Sequence, residues 1–234
     1  MRTLLCQNRG FPLPTKRFLR ITLLFITAFF AFFITACKKQ IDYFSYVAEL
    51  RSNVLLAETD GFQLRIYAVE KEYPYACDGV KRETSARTEL RLLAPSGDKT
   101  YTVAFCVNDA TYGGELSYDN VRAEYYYSCS LDVSTLTQID CTLKSEQNEW
   151  QFCAKSVKTE NTLSPQAVLA KLQETESELF ASLTDKYGFA GEIHIRLLYE
   201  DFPYYYVGII DRNGNTTAFL INGESGKVLA KRPS

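Results

Sequence analysis

Cysteine and histidine are the side chains in this sequence whose chemistry is easiest to test by spacing. Its 234 residues include one histidine, His194, which excludes any metal site that needs two histidine ligands. No Cys-x-x-Cys pair is present, so thioredoxin-like redox sites and structural zinc sites lack their usual spacing. A nucleophilic cysteine would need His194 as its base, and that residue lies in a different region of the chain. We therefore predict no catalytic residues, no metal site and no cofactor.

One cysteine, Cys37, lies at the end of a distinctive N-terminal segment. Residues 1–20 contain five basic residues and no acidic one, and an apolar run of 16 residues follows from Ile21 to Ala36. A basic segment, an apolar segment and a small-residue cleavage site are typical of a secretory signal peptide. A transmembrane helix needs about 20 apolar residues, and threonines interrupt this run. We predict a signal peptide over 1–36 with cleavage after Ala36; the alternatives are an uncleaved anchor and soluble release.

The residues around this cleavage site carry a resemblance to a known class. Ile34-Thr35-Ala36-Cys37 resembles the lipobox of bacterial lipoproteins: an aliphatic residue, two small ones and a cysteine. In that family the cysteine thiol is acylated by diacylglycerol and becomes the new N-terminus. The resemblance implies lipid attachment at Cys37 and a cell-membrane location facing outside the cytoplasm. The membrane would then be a partner through the N-terminal acyl chains.

Cleavage would change the charge of the protein. The net charge of the whole chain is −2, and residues 1–36 carry five basic side chains and no acidic ones, so the remainder carries −7. A protein with no basic surplus cannot neutralise a phosphate backbone effectively. We therefore exclude nucleic acid as a partner.

The middle of the chain alternates apolar and polar residues with a period of two. Examples are 62–69, 101–108, 121–133 and 139–144, with turn residues such as Pro95, Gly97 and Gly113 between them. One apolar face per strand predicts two sheets packed face to face, or a closed sheet. We favour an antiparallel β-sandwich of seven or eight strands over 42–157, with residues 37–41 as a lipidated tether.

Two cysteines of this region are candidates for a disulfide. Cys129 and Cys141 both fall on the apolar side of their strands. If residues 134–136 connect the two strands as a hairpin, these cysteines lie roughly opposite each other and could form a cross-strand disulfide. The alternative is that both are small buried apolar residues.

The C-terminal part has a different pattern. Ser164-Pro165 is typical of a helix N-terminus, and apolar residues then recur at three- and four-residue steps as far as Tyr187. We predict a helix over about 165–187 packed on a three-stranded antiparallel sheet, together forming a module over 162–232. His194 falls on the more polar side of the first strand and is predicted to lie at the surface. The predicted fold class is mainly β with a small α+β part.

The end of this module resembles the PepSY and PepSY-like families. Their last hairpin typically reads aliphatic-Asp-Ala-x-Thr-Gly-x-Val, and this chain has Ile221-Asn-Gly-Glu-Ser-Gly-Lys-Val228. Asn222, Gly223 and Ser225 depart from the pattern, whereas Gly226 and Val228 agree with it. The resemblance covers about 164–231 and implies a small extracytoplasmic module that inhibits peptidases or binds envelope components.

These observations support three functional hypotheses. The leading one is a membrane-anchored lipoprotein with a non-enzymatic binding or scaffolding role outside the cytoplasmic membrane. The second is a PepSY-like regulator or inhibitor of an envelope peptidase, which would make that peptidase a partner. The third is a hydrolase that uses carboxylates alone, for which two acids would have to converge in a cleft.

Overall fold

Strands dominate the residues described by the computed structural model, which are 41–72, 80–146 and 148–233. Two α-helices are present in this part of the chain, α1 (Pro165–Thr175) and α2 (Ser177–Ser182), and a short 3-10 helix covers Tyr43–Tyr46. The strands are β1 (Val47–Thr59), β2 (Phe62–Glu72), β3 (Thr84–Leu93), β4 (Thr102–Val107), β5 (Ala110–Glu115), β6 (Ser117–Asp119), β7 (Glu124–Cys129), β8 (Gln138–Ser145), β9 (Asn148–Ser156), β10 (Thr184–Asp185), β11 (Gly188–Phe189), β12 (Gly191–Tyr199), β13 (Pro203–Asp211), β14 (Thr216–Asn222) and β15 (Val228–Arg232). The predicted fold class, mainly β with a small helical part, is confirmed.

The larger sheet has a continuous path and a branch. Its path runs β15-β14-β13-β12-β1-β2-β3-β7-β6, and the branch consists of β9, β8, β4 and β5. Nine strands lie between Val47 and Ser156, against the seven or eight predicted, because β5 and β6 are short and lack a clear alternation. Residues 41–234 form one compact unit.

Strand β1 connects the two regions that the sequence pattern separates. Over Val47–Arg51 it pairs in parallel with β12, and at Leu55 and Leu56 the same edge pairs antiparallel with β9. Its other edge pairs antiparallel with β2 along almost its whole length. The sheet therefore forks between Arg51 and Leu55.

The β1–β2 ribbon contributes to two hydrophobic cores. The first core contains Leu55, Leu64 and Ile66 together with buried residues of β3, β4, β8 and β9. The second core contains Val54 and Tyr67 together with buried residues of α1, α2 and β12–β14. Neighbouring side chains of a strand point to opposite faces, so successive residues such as Val54 and Leu55 enter different cores.

The predicted helix over 165–187 is interrupted. Its start is as predicted, because the Ser164 side chain accepts a hydrogen bond from the Ala167 N–H at 3.2 Å and Pro165 occupies the first turn. The regular helix, however, ends at Ser182 after a break at Glu176. Thr184 Oγ1 donates to the Phe180 carbonyl, and Asp185 accepts from two backbone N–H groups that follow it. These side chains compete with helical hydrogen bonds and turn the chain into the β10–β11 hairpin.

The C-terminal sheet is larger than predicted. Four antiparallel strands, β12 to β15, replace the expected three, and β1 extends them on the β12 side. In the last turn Asn222 Oδ1 accepts from the N–H groups of Glu224 and Ser225, at 3.1 and 2.8 Å. Asn222 thus supplies the acceptor that the aspartate of the PepSY pattern would offer.

Candidate functional site

A cavity of about 730 Å³ lies on the face of the sheet beyond the fork. One wall comes from β1 and β2, and the other comes from the ends of β12 to β15. The first wall consists of Arg51, Val54, Leu56, Arg65 and Tyr67. The second wall includes Leu198, Tyr204, Leu220 and Leu229. Small-molecule sites usually enclose about 300–1,000 Å³, so this cavity has the size of a ligand site, and its lining combines apolar with charged and polar side chains.

A β-bulge at Ser52 directs Arg51 into this cavity. Arg51 lies opposite Val69 of β2, whereas Asn53 lies opposite Ala68, so one extra residue is inserted between them. Directly paired residues share a face, and therefore Arg51 and Asn53 point to opposite faces of the sheet. Without the bulge, residues two apart on a strand would point the same way.

On the opposite face of β1, the Asn53 side chain forms hydrogen bonds at the point where the sheet forks. Its side chain is 1% exposed, and Nδ2 donates to the carbonyls of Val133 and Leu136 at 3.2 and 2.8 Å. Its Oδ1 accepts from Ser156 Oγ at 2.7 Å. The residue after the bulge thus ties β1 to the β7–β8 connection and to the end of β9.

The Arg51 guanidinium lies on an aromatic ring and has no carboxylate partner among the residues that the structure describes. Its Cζ is 4.1 Å from the centre of the Tyr67 ring, a distance at which the cation and the ring attract each other. Its Nε is buried without a hydrogen-bond partner, and within the described part of the chain Arg51 forms no ion pair. Burial lowers the pKa of Arg51, although a guanidinium keeps its charge in proteins.

The two carboxylates that influence Arg51 most are already engaged by other cations. Glu49 accepts two hydrogen bonds from Arg196, at 2.8 Å to Nε and 2.6 Å to Nη2. Glu89 accepts from Lys71 Nζ at 2.5 Å. Burial raises the pKa of Glu49, but the Arg196 hydrogen bond and charge outweigh it, so the pKa is lowered overall. Neither carboxylate is therefore available to Arg51 as a dedicated partner.

Acidic residues line the cavity only at its far end. Glu58 is exposed and accepts from Gln63 Nε2 at 2.5 Å, and Glu200 is exposed just after β12. At a strand rise of about 3.3 Å per residue, Glu58 lies roughly 20 Å along β1 from Arg51. Arg51 therefore lies at the more buried end of the cavity, Arg65 lies opposite Leu56 along its wall, and the acidic side chains lie at the exposed end.

His194 is buried, so the predicted surface position is wrong. It is 5% exposed, with Nδ1 3.9 Å from Glu49 Oε2 and Nε2 3.4 Å from Glu192 Oε1. The reason is the parallel pairing of β1, which places Glu49 directly beside His194 and makes β12 an interior strand. Burial lowers the pKa of His194 to about 4, so the imidazole is neutral at pH 7.

The cysteines that the sequence pattern brought together lie apart in the fold. Cys129 pairs with Thr88 of β3, and Cys141 lies between Phe105 of β4 and Phe152 of β9. The expected hairpin is therefore wrong, because β7 and β8 are not neighbours in the sheet. Both thiols are free, and burial raises the pKa of Cys141 to about 12.

The N-terminal candidates, Ala36 and Cys37, lie outside the described residues. Across 41–72, 80–146 and 148–233, no group of three or more histidine, cysteine and acidic side chains is arranged to hold a metal ion. No helix within these ranges is long and apolar enough to span a membrane.

The cavity residues were not among the candidates from the sequence. The available signal was a basic residue, Arg51, close to the buried Val54 and Leu55 of the same strand, but the bulge that directs it has no local signature. Comparison with protein-family models, with curated proteins and with solved structures finds no match for this chain.

Proposed function

We propose that this protein is a membrane-anchored binding protein with no enzymatic role, and that its ligand occupies the cavity between the β1–β2 ribbon and the C-terminal sheet. The observation that carries the proposal is the cavity itself, about 730 Å³ and lined by aliphatic and aromatic side chains together with Arg51 and Arg65. Its glutamates, Glu58 and Glu200, are exposed at the outer end rather than enclosed in a cleft. A binding role is thus better supported than carboxylate hydrolysis.

The anchor in this proposal is Cys37, acylated after removal of residues 1–36. Growth of a bacterial expression host with a clickable fatty acid tests it. We expect the wild type and Cys106→Ala to be labelled equally and Cys37→Ala to lose the label. Cys106 is a matched control because its thiol is exposed in the folded protein. Equal labelling of the Cys37→Ala variant would contradict acylation at this position.

Native mass spectrometry of the full chain extracted from membranes tests the cavity. A bound ligand adds a discrete mass to the protein peak. The variant Leu220→Trp fills part of the cavity and should lose that added mass, whereas Val121→Trp should keep it, because Val121 is 95% exposed and lies outside the cavity. A mass retained equally by both variants, or absent from the wild type, would argue against a ligand at this place.

A PepSY-like regulator of an envelope peptidase is the second candidate. The order of elements favours it, since α1 is followed by four antiparallel strands and packs in the same core as they do. Addition of the purified protein to envelope extracts should then lower cleavage of a fluorogenic protein substrate. Unchanged cleavage at a saturating concentration would remove this candidate.

A further inference from the structure

We propose that the ligand is a small amphipathic anion, with a carboxylate or phosphate group bound by the Arg51 guanidinium and an apolar body along the cavity walls. This inference rests on the proposed function, because it names the class of ligand for the same cavity. The juxtaposition that carries it is the Arg51 guanidinium, which has no carboxylate partner among the described residues, beside the aliphatic side chains of the cavity.

The surroundings of Arg51 indicate that the ligand carries an anionic group. Glu49 is bound by Arg196 and Glu89 is bound by Lys71, and within the described ranges Arg51 contacts the Tyr67 ring without a carboxylate of its own. A cation withdrawn from water needs an opposite charge or several hydrogen bonds to be well stabilised. Guanidinium groups match the planar geometry of carboxylates and phosphates, and their hydrogen bonds are stronger where water is excluded. An anion bound to Arg51 would give its guanidinium an oppositely charged partner, as Arg196 and Lys71 already have in Glu49 and Glu89.

The cavity walls next to Arg51 indicate that the rest of the ligand is apolar. Val54 and Leu56 follow Arg51 along β1, and Leu198 and Leu220 face them from the C-terminal sheet. These four side chains offer no hydrogen bond, so the part of the ligand that lies against them is best stabilised if it is apolar. Tyr67 and Tyr204 add aromatic surface that favours a flat or branched apolar group.

The outer end restricts the ligand further. Glu58 and Glu200 would repel a second anionic group placed far from the first. The cavity therefore fits one anionic head at Arg51 and an uncharged or cationic opposite end.

Isothermal titration of the full chain in lipid nanodiscs tests this inference, with empty nanodiscs as the reference. The probes are 3-phenylpropionate, phenyl phosphate and the uncharged amide 3-phenylpropionamide. Because charge-assisted hydrogen bonds to a partly buried guanidinium are strong, at least one anion should bind about 30-fold more tightly than the amide. The tighter of the two anions identifies the head group as carboxylate or phosphate.

Two variants test whether Arg51 is the residue that binds the anionic group. Arg51→Met keeps the length of the side chain and should reduce anion affinity to that of the amide, while amide binding changes less than about 3-fold. Arg51→Lys keeps the charge without the planar fork and should give intermediate affinity. Retained amide binding shows that each variant is folded and that the cavity is intact.

Each outcome separates this inference from the proposed function. Equal affinity for anions and amide would overturn the inference and leave a binding cavity in place. Anion binding that survives Arg51→Met would overturn it as well, because the recognising group would lie elsewhere. Failure of all three probes would overturn the ligand class, whereas the proposed function would still be decided by the native mass measurement.

Discussion

Replacement of Asn53 by leucine should strongly destabilise the fork of the sheet. The leucine is close in size, so the change removes three hydrogen bonds rather than volume: two donated to Val133 and Leu136, and one accepted from Ser156. Each is worth about 1 kcal/mol, and a buried carbonyl left without a donor costs about 1–3 kcal/mol more. The Val133 carbonyl retains the Leu136 N–H at 3.3 Å, so chiefly the Leu136 carbonyl loses its partner.

The expected loss in free energy of unfolding is therefore about 4 kcal/mol, or roughly 12 °C in melting temperature for a domain of this size. Urea unfolding of a fragment beginning at Lys38, followed by tryptophan fluorescence, measures it. Ser156→Ala is the matched control and should lose only about 2 kcal/mol, because it removes the hydrogen bond to Asn53 and the one accepted from the Lys158 N–H, and keeps the two that Asn53 donates. A loss below about 1 kcal/mol for Asn53→Leu would refute the idea that this side chain holds the fork together.

Three further predictions concern other parts of the fold. Because burial lowers the pKa of His194 to about 4, the unfolded chain binds a proton that the folded chain does not between pH 6.5 and 4. Stability should fall by roughly 3 kcal/mol as the pH falls through that window, and His194→Gln should flatten the profile; an unchanged profile would contradict this assignment. Gly223→Ala should cost about 1–3 kcal/mol in urea unfolding, since the added Cβ would lie 2.5 Å from the Pro203 carbonyl oxygen, and an unaffected variant would disprove that close approach. Alkylation with iodoacetamide should modify Cys106 in the native protein and Cys141 only after unfolding, as read by peptide mass spectrometry; early modification of Cys141 would contradict its burial.

Alternation along the chain was sufficient to predict most strands and the class of the fold. Residues such as Val103, Phe105, Cys141 and Leu143 do face the first core, as their period-two spacing indicates. Pairing between distant strands could not be read in the same way, because period-two spacing says which face a side chain occupies but not which strand lies beside it. The incorrect prediction of a β7–β8 hairpin arose because the spacing gives no information about which strands are neighbours.

The candidate site was hidden for a related reason. Strict alternation places Arg51 and Asn53 on one face, and only the extra residue at Ser52 separates them. A bulge depends on how the partner strand continues, so it leaves no signal in the six or eight residues around it. His194 was misplaced because its burial depends on Glu49, which is remote in sequence and adjacent in the sheet.

The parallel pairing of β1 with β12 has a consequence for the order in which the chain folds. β1 is the first strand of the described unit, yet its partner edge comes from residues about 140 positions later. During synthesis β1 can form its hairpin with β2 early, but its outer edge must wait until β9 and β12 have emerged. Contacts of such long range slow folding, and an open strand edge is prone to pair with other chains. The interval before β12 arrives is therefore the stage at which this protein is most exposed to misassembly and most dependent on factors that cover unpaired strands.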